Sequence, residues 1–331
     1  MLAILAAWFV AIFLGPPLWL AMALAGWAFL ALAGIPDLAL AQRIAKTADS
    51  FPLLAAPLFI LMGNVMNSAG ITQRIFAFAS VCVGWMRGGL CHANIVASVF
   101  FAGTSGSAVA DAAMEARILG PAMLRQGFSR GFSSAVISVG SLITATIPPS
   151  IGLILYGFLG NVSIGKLFLA GIVPGIVLTL LFIATIAIVT WRNPALGPAG
   201  APMPWPERWR ALRSVWSVAL LFTLVIGGMY VGVFTATEAA GAGAGGTLLL
   251  GMARRRLTWP LLRQALVATV ETTASITAIL IGAVVLGYFL AVTQLPMKLA
   301  QSLTAAQLSP TTVCLLYTSD AADEEDSVDL G

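Results

Sequence analysis

Charged side chains are scarce in this chain, making up 9% of its 331 residues. Soluble domains carry about 25% charged residues, and this chain instead is 59% hydrophobic with a mean hydropathy of +0.97. So few charges cannot cover a water-exposed surface. The composition therefore excludes an ordinary soluble domain and predicts an integral membrane protein.

Cysteine is also scarce, and a signal-peptide cleavage site is lacking. Cys82, Cys91 and Cys314 lie in separate apolar segments, and their spacing indicates neither a disulfide framework nor a metal site. We interpret them as small buried hydrophobic residues. The first residues, MLAILAAWFVAIFLGPP, have no Lys or Arg before the apolar run and no small-residue cleavage site. They predict a first membrane segment and not a removable signal peptide.

Positive charge is concentrated in short connections. The thirteen acidic residues include six between Asp320 and Asp329, which leaves seven against 17 basic residues elsewhere. Short loops rich in Lys and Arg stay in the cytoplasm, so residues 192–213 are predicted to be a basic cytoplasmic loop. Nucleic-acid binding is the other interpretation of a basic pI, but these residues separate apolar spans. The two basic clusters are Arg192, Arg208, Arg210 and Arg213, and Arg254, Arg255, Arg256 and Arg263.

Apolar windows of about 20 residues predict membrane-spanning helices. The window 2–34 is interrupted at Gly15-Pro16-Pro17, so residues 1–50 are expected to form an N-terminal scaffold helix or helices. Residues 71–87 carry an arginine near each end and predict an interfacial helix. Spans are predicted over 51–69, 132–160, 165–191, 214–233, 236–252 and 261–293.

Two segments interrupt the apolar pattern at membrane depth. AGTSGSA, at 102–108, has about 12–15 apolar residues on each side, half a membrane thickness each way. This predicts a re-entrant hairpin over about 89–122. ITATIPPSIG, at 143–152, contains two prolines that remove N–H donors and disfavour helix before them. This predicts a broken helix within 132–160.

Irregular backbone inside a membrane is tolerated only where it is buried in protein or lines a cavity. Its free carbonyls and Ser/Thr hydroxyls can coordinate Na⁺, and half-helix N-termini attract carboxylates. Close helix packing by small residues would also explain 102–108, and a plain kink would explain Pro148-Pro149. The occurrence of two hydroxyl-rich breaks close together favours a binding site.

An ordered series of motifs over essentially residues 1–312 resembles a known family. The motifs are LLAAPLFILMGNVMNSAGIT at 53–72, FAGTSGSAVADAA at 101–113, PAM at 121–123, QGF at 126–128, IPPSIGLILYG at 147–157, VSIGKLFLAGIVPG at 162–175 and FTATEAAGAGA at 234–244. With these motifs the chain is similar to the large membrane subunit, the DctM-type permease, of tripartite ATP-independent periplasmic (TRAP) transporters.

The resemblance implies an all-α polytopic membrane protein of the elevator type. Such a transporter has inverted repeats, each with a re-entrant hairpin and an unwound transmembrane helix. The first transport repeat would occupy 51–191, and the second would start within 214–312. In that family the subunit joins a small four-helix membrane subunit and a periplasmic solute-binding protein in the bacterial inner membrane. They import organic anions (C4-dicarboxylates, sialic acids or keto acids) with a Na⁺ gradient.

The resemblance also implies roles for individual residues, with Na⁺ as the coupling ion near Ser105, Ser107 and Thr144 and no other cofactor. Asp111 would orient the hairpin or shape the field at the ion site. The residues implied for the ion and substrate pocket are Asn64, Ser105, Gly106, Ser107, Asp111, Thr144, Pro148, Pro149 and Ser150.

Two further acidic residues have weaker claims to a role. Glu115 is a candidate partner for Arg117 or Arg87, and the alternative is that it has no role at the site. Glu238, in FTATEA, is expected to be structural and not to bind substrate.

The last residues differ from the rest. CLLYTSDAADEEDSVDLG follows a helix start too short to span, and it resembles translated sequencing-adapter read-through. We expect 313–331 to be an artefactual acidic tail, with a regulatory tail as the alternative. The family's second repeat normally ends in another unwound Pro-Pro helix that this chain does not reach. We therefore expect a fragment that does not transport.

Two other functions deserve comparison with the permease. A stand-alone Na⁺-coupled dicarboxylate symporter of related elevator type would share the same features but need no binding protein. An intramembrane serine protease would use Ser105 in the GTSG of 103–106 with His92 as base. Such proteases place the base on a later helix, so we expect no enzyme.

Overall fold

The computed structural model describes residues 2–101, 108–200, 204–295, 297, 298 and 301, and these are mostly helical. Two short 3₁₀ turns, Phe51–Leu54 and Pro194–Leu196, accompany the α-helices, and no strand longer than one bridge occurs in these ranges. The α-helices are α1 (Leu2–Phe13), α2 (Leu18–Leu32), α3 (Asp37–Ala48), α4 (Ala55–Ser68), α5 (Ile71–Val83), α6 (Gly89–Phe101), α7 (Ala108–Arg125), α8 (Arg130–Thr146), α9 (Ile151–Leu159), α10 (Ile164–Arg192), α11 (Trp205–Tyr230), α12 (Ala236–Ala253) and α13 (Trp259–Thr293).

Three helical segments in the described part of the chain are long and apolar enough to cross a membrane: Phe51–Ser68, Ile164–Arg192 and Trp259–Thr293. They confirm the helices predicted there. Two bent pairs bring the number of candidate spans to as many as five. These pairs are α8 with α9, and Trp205–Arg213 with Val215–Tyr230, bent by 45° and 47°. The arrangement is that of a polytopic helical membrane protein.

The chain divides into two compact units. The first contains Met1–Thr47 and Ala278–Gly331, as far as these are described. Within it α2 and the second half of α13 approach closely, because a Cβ on Gly26 would lie 2.7 Å from Val285 Cγ1. α3 is held to the same unit by Arg43, whose guanidinium lies 3.9 Å from the centre of the Tyr288 ring. The break predicted at Gly15-Pro16-Pro17 is confirmed, since α1 ends before it and α2 begins after it.

The second unit, Ala48–Thr277, holds the larger core. The small residues of α12 let it pack against α4, and a Cβ on Gly243 would lie 2.5 Å from Met62 Sδ. A capping box begins α12: the Thr235 hydroxyl accepts from the Glu238 N–H at 3.3 Å, and a Glu238 carboxylate oxygen accepts from the Thr235 N–H at 2.8 Å. Glu238 is thus structural, as expected.

Two details differ from expectation. Residues 192–213, predicted as a loop, are helical from Trp205 onward, because Pro206 starts a helix and the following Glu, Arg, Ala and Leu residues favour one. Arg208, Arg210 and Arg213 therefore lie on α11. Cys91 is buried as expected, but Cys82 is exposed, so its assignment as buried was wrong. Cys314 lies outside the described residues.

Candidate functional site

The site is built around the break between α8 and α9. The predicted interruption is confirmed, because α8 ends at Thr146 and α9 begins at Ile151, after Pro148-Pro149. Prolines have no N–H, so the carbonyls of Thr144 and Ala145 lack the donors that residues four positions later would supply in a continuous helix. Pro148, Pro149 and Ser150 are buried. The irregular backbone is therefore enclosed by protein, as membrane depth requires.

Two hydroxyl side chains flank this break. Thr144 is fully buried, and its hydroxyl donates to the Ser141 carbonyl at 2.6 Å, which leaves the oxygen lone pairs available to a cation. Ser150 caps α9, since its Oγ accepts from the Leu153 N–H at 3.4 Å. The break thus presents oxygen atoms on the α8 side and the positive end of a helix on the α9 side.

Helix α10 packs directly on the break through two glycines one turn apart. A Cβ on Gly171 would lie 2.8 Å from the Thr146 carbonyl oxygen. A Cβ on Gly175 would lie 2.3 Å from Ile147 Cγ1. A larger residue at these positions would require α10 or the end of α8 to shift, so the two glycines set how closely α10 packs on the end of α8.

The predicted hairpin corresponds to α6 and α7, which contact each other and α8. Its predicted tip residues Ser105, Gly106 and Ser107 lie outside the described residues. Asp111, in the first turn of α7, is fully buried. These contacts place both arms of the candidate hairpin against α8, the helix that leads into the break.

Glu115 differs from its expected role. It was predicted to pair with Arg117 or Arg87, and that prediction is wrong. Its Oε1 lies 2.7 Å from the Ser98 hydroxyl on the other arm, and both residues are fully buried. Glu115 faces α6, whereas Arg117, two positions further along α7, points in another direction. Arg87 lies outside this helix, between α5 and α6.

Asn64 also has a partner that the sequence did not indicate. Its Nδ2 donates to Thr269 Oγ1 on α13 at 3.0 Å. The predicted pocket had joined Asn64 to Thr144 and Ser150, but its hydrogen bond goes to α13. Thr144, Pro148, Pro149 and Ser150 lie together at the break, and the place of Asn64 in the pocket remains a prediction.

Sequence reasoning missed Asn94 and Ser98 on α6. Both are fully buried, and Gly140 of α8 faces them so closely that a Cβ there would lie 2.5 Å from Asn94 Nδ2. A usable signal was present, because Asn94 and Ser98 are polar residues four positions apart on a mostly apolar helix. Polar side chains inside membrane segments usually face the protein interior.

Helices long enough to span a membrane, together with a buried broken helix, define the class as a polytopic membrane protein with a candidate site inside its helical core. The comparison with known sequences is more specific. Residues 5–319 match the profile of the family described as tripartite ATP-independent periplasmic transporter, DctM component. The chain belongs to that family. The predicted family is confirmed, and this family is a transporter permease family and not an enzyme family.

Three curated relatives illustrate the similarity. The sialic acid TRAP transporter large permease protein SiaM of Vibrio cholerae is 36% identical over 316 residues, covering 93% of this chain and 72% of the relative. The C4-dicarboxylate protein DctM of Pseudomonas aeruginosa is 32% identical over 274 residues (82% and 63%). The 2,3-diketo-L-gulonate protein YiaN of Escherichia coli is 33% identical over 275 residues (82% and 64%). The chain thus spans less than two thirds of the latter two.

Proposed function

We propose that this chain belongs to the large permease subunit of a Na⁺-coupled secondary transporter that imports organic anions. Membership of the DctM family supports the transporter role. The relatives are named for sialic acid, C4-dicarboxylates and 2,3-diketo-L-gulonate. All three are carboxylate-bearing molecules, so the substrate proposed here is a small organic anion with at least one carboxylate.

The observation that carries the proposal is the buried break between α8 and α9. Na⁺ prefers oxygen ligands, and interrupted membrane helices supply them from carbonyls and hydroxyls. The Thr144 hydroxyl oxygen and the carbonyls of Thr144 and Ala145 would contribute from α8. Ser105 and Ser107 would contribute from the hairpin tip.

The substrate would bind next to the ion. The N-terminus of α9, capped by Ser150, would attract its carboxylate through the partial positive charge of the helix end. Pro148 and Pro149 would keep the helix open between the two ligands.

The proposed partners are a small four-helix membrane subunit and a periplasmic solute-binding protein, in the bacterial inner membrane. The binding protein would deliver the anion, and Na⁺ would bind between the hairpin tip and the broken helix. An elevator movement of the hairpin-bearing part would then release both inside.

Thr144→Val tests the ion site, because it removes the hydroxyl and keeps the shape. Uptake of a sialic acid and of a C4-dicarboxylate is measured against Na⁺ concentration, in proteoliposomes with the complete transporter and its binding protein. A hydroxyl contact with a charged group contributes on the order of 1.5–3 kcal/mol, so half-maximal uptake should need roughly tenfold more Na⁺ or beyond. Thr185→Val is the matched control, since its hydroxyl makes the same kind of helix-internal bond on an exposed face.

Ser105→Ala and Pro149→Ala should also weaken Na⁺-dependent uptake. Unchanged Na⁺ dependence in all three variants would refute the site. Uptake that needs no Na⁺ would refute the coupling ion, and uptake without the binding protein would favour a stand-alone symporter.

A further inference from the structure

Three buried groups on α6 and α7 form a continuous chain of polar contacts. Ser98 Oγ lies 2.7 Å from Glu115 Oε1 and 2.9 Å from the main-chain carbonyl oxygen of Asn94. Asn94, Ser98 and Glu115 each expose 0% of their surface. The contacts join the two arms of the candidate hairpin, because Ser98 is on α6 and Glu115 is on α7.

The number of hydrogens available to these polar contacts determines the charge of Glu115. Both contacts of Ser98 have hydrogen-bond length, but a hydroxyl has one hydrogen to donate. The Asn94 carbonyl can only accept, and an ionised carboxylate can only accept. Both contacts are satisfied together when the Glu115 carboxyl carries a hydrogen and donates to Ser98, while Ser98 donates to Asn94.

The surrounding charges favour the same protonation state. All 17 Lys and Arg residues lie in the described ranges, and none forms an ion pair with Glu115. Its charged neighbour is Asp111, one turn away on α7 and of the same sign. A buried carboxylate without a cationic partner is strongly unfavourable, even where neutral side chains such as Ser98 and Asn94 contact it. The other titratable groups on α6, α7 and α8 are Cys91, His92, Arg117, Arg125 and Arg130.

Two further atoms show that the cluster is enclosed. Glu115 Oε2 and Asn94 Oδ1 are buried, and neither has a hydrogen-bond partner among the described residues. Gly140 closes the α8 side, since a Cβ there would lie 2.5 Å from Asn94 Nδ2 and 3.5 Å from Ser98 Oγ. A neutral carboxyl leaves an unpaired carbonyl-type oxygen at Oε2, which is far less unfavourable than an unpaired charge.

We propose that Glu115 is a proton-binding residue that joins α6 to α7 by donating a hydrogen bond to Ser98. The proton comes from the solvent and returns to it when the chain unfolds. Glu115 is a positioning residue, because it acts by holding α6 and α7 together. Its effect on transport rests on the function proposed above, whereas its protonation does not.

Infrared difference spectroscopy tests the protonation directly. Spectra of the full chain in lipid nanodiscs at neutral pH are compared between wild type and Glu115→Gln. We expect loss of a carbonyl-stretch band of a protonated carboxyl, and Ser98→Ala should shift that band because it removes the hydrogen-bond partner. Loss of an ionised-carboxylate band in Glu115→Gln would overturn the proposal.

The pH profile of stability provides a second test. A folded state that holds one proton more than the unfolded state loses stability as pH rises. The ratio of unfolded to folded protein should therefore rise by up to about tenfold per pH unit in the wild type. In Glu115→Gln this rise should be absent, because the amide donates to Ser98 at every pH.

Equal pH slopes in wild type and Glu115→Gln would overturn the proposal. Neither the infrared nor the stability measurement depends on Na⁺ or substrate. Failure of the ion site and failure of the proton site are therefore distinguishable.

Discussion

Replacing Gly171 by alanine tests how closely α10 packs on the broken helix. The added Cβ would lie 2.8 Å from the Thr146 carbonyl oxygen, 3.3 Å from Leu153 Cδ1 and 3.7 Å from Pro148 Cδ. The nearest atom belongs to the backbone beside two prolines, so it cannot move aside as a flexible side chain would. We therefore expect the variant to shift α10 or the end of α8.

The magnitude follows from two opposing effects. Overfilling a packed core costs about 1–3 kcal/mol. Alanine in a helix interior is more favourable than glycine by about 1 kcal/mol. The variant should therefore be destabilised by roughly 0–2 kcal/mol, a range too wide to interpret without a reference.

Gly245→Ala supplies that reference. Gly245 also lies inside a helix, α12, but no atom lies within 4 Å of a Cβ built there. The propensity gain is common to both variants and cancels in their difference. We expect Gly171→Ala to be less stable than Gly245→Ala by about 1–3 kcal/mol. Denaturant unfolding of both variants in the same detergent measures this difference, and equal stability would refute the close contact.

Two further predictions concern hydrogen bonds. Thr235→Ala removes the cap of α12 and should lower stability by about 1 kcal/mol; a thermal unfolding midpoint equal to wild type would contradict the capping role. Asn64→Ala and Thr269→Val should be less than additive by roughly 0.5–1.5 kcal/mol in a double-mutant cycle, because each removes the same bond. Strict additivity would show that this bond contributes nothing.

The breaks in the helices could be predicted because their causes are local. Proline removes a donor and restricts the residue before it wherever it occurs. Both breaks, at Gly15-Pro16-Pro17 and at Pro148-Pro149, are found where the sequence places them. The long apolar helices could be predicted for a similar reason, since a hydrophobic run of spanning length is itself the signal.

Charge was a poor guide to local structure in residues 205–213. The arginines of 205–213 were interpreted as a loop because of their charge, but charge does not prevent a helix, and these residues have good helix propensity. The hairpin tip 105–107, the division into repeats and the acidic tail 313–331 remain predictions.

The sequence by itself determined the class of protein, the family and the places where helices stop, because composition, ordered motifs and proline act without reference to distant residues. The tertiary structure alone decided which polar side chains meet. Glu115 faces Ser98 and Asn64 faces Thr269 because helix packing sets the rotation of each helix about its axis, and that packing depends on residues far apart in the chain. Gly140 and Gly171 acquire their importance in the same way, from the neighbour that lies against them.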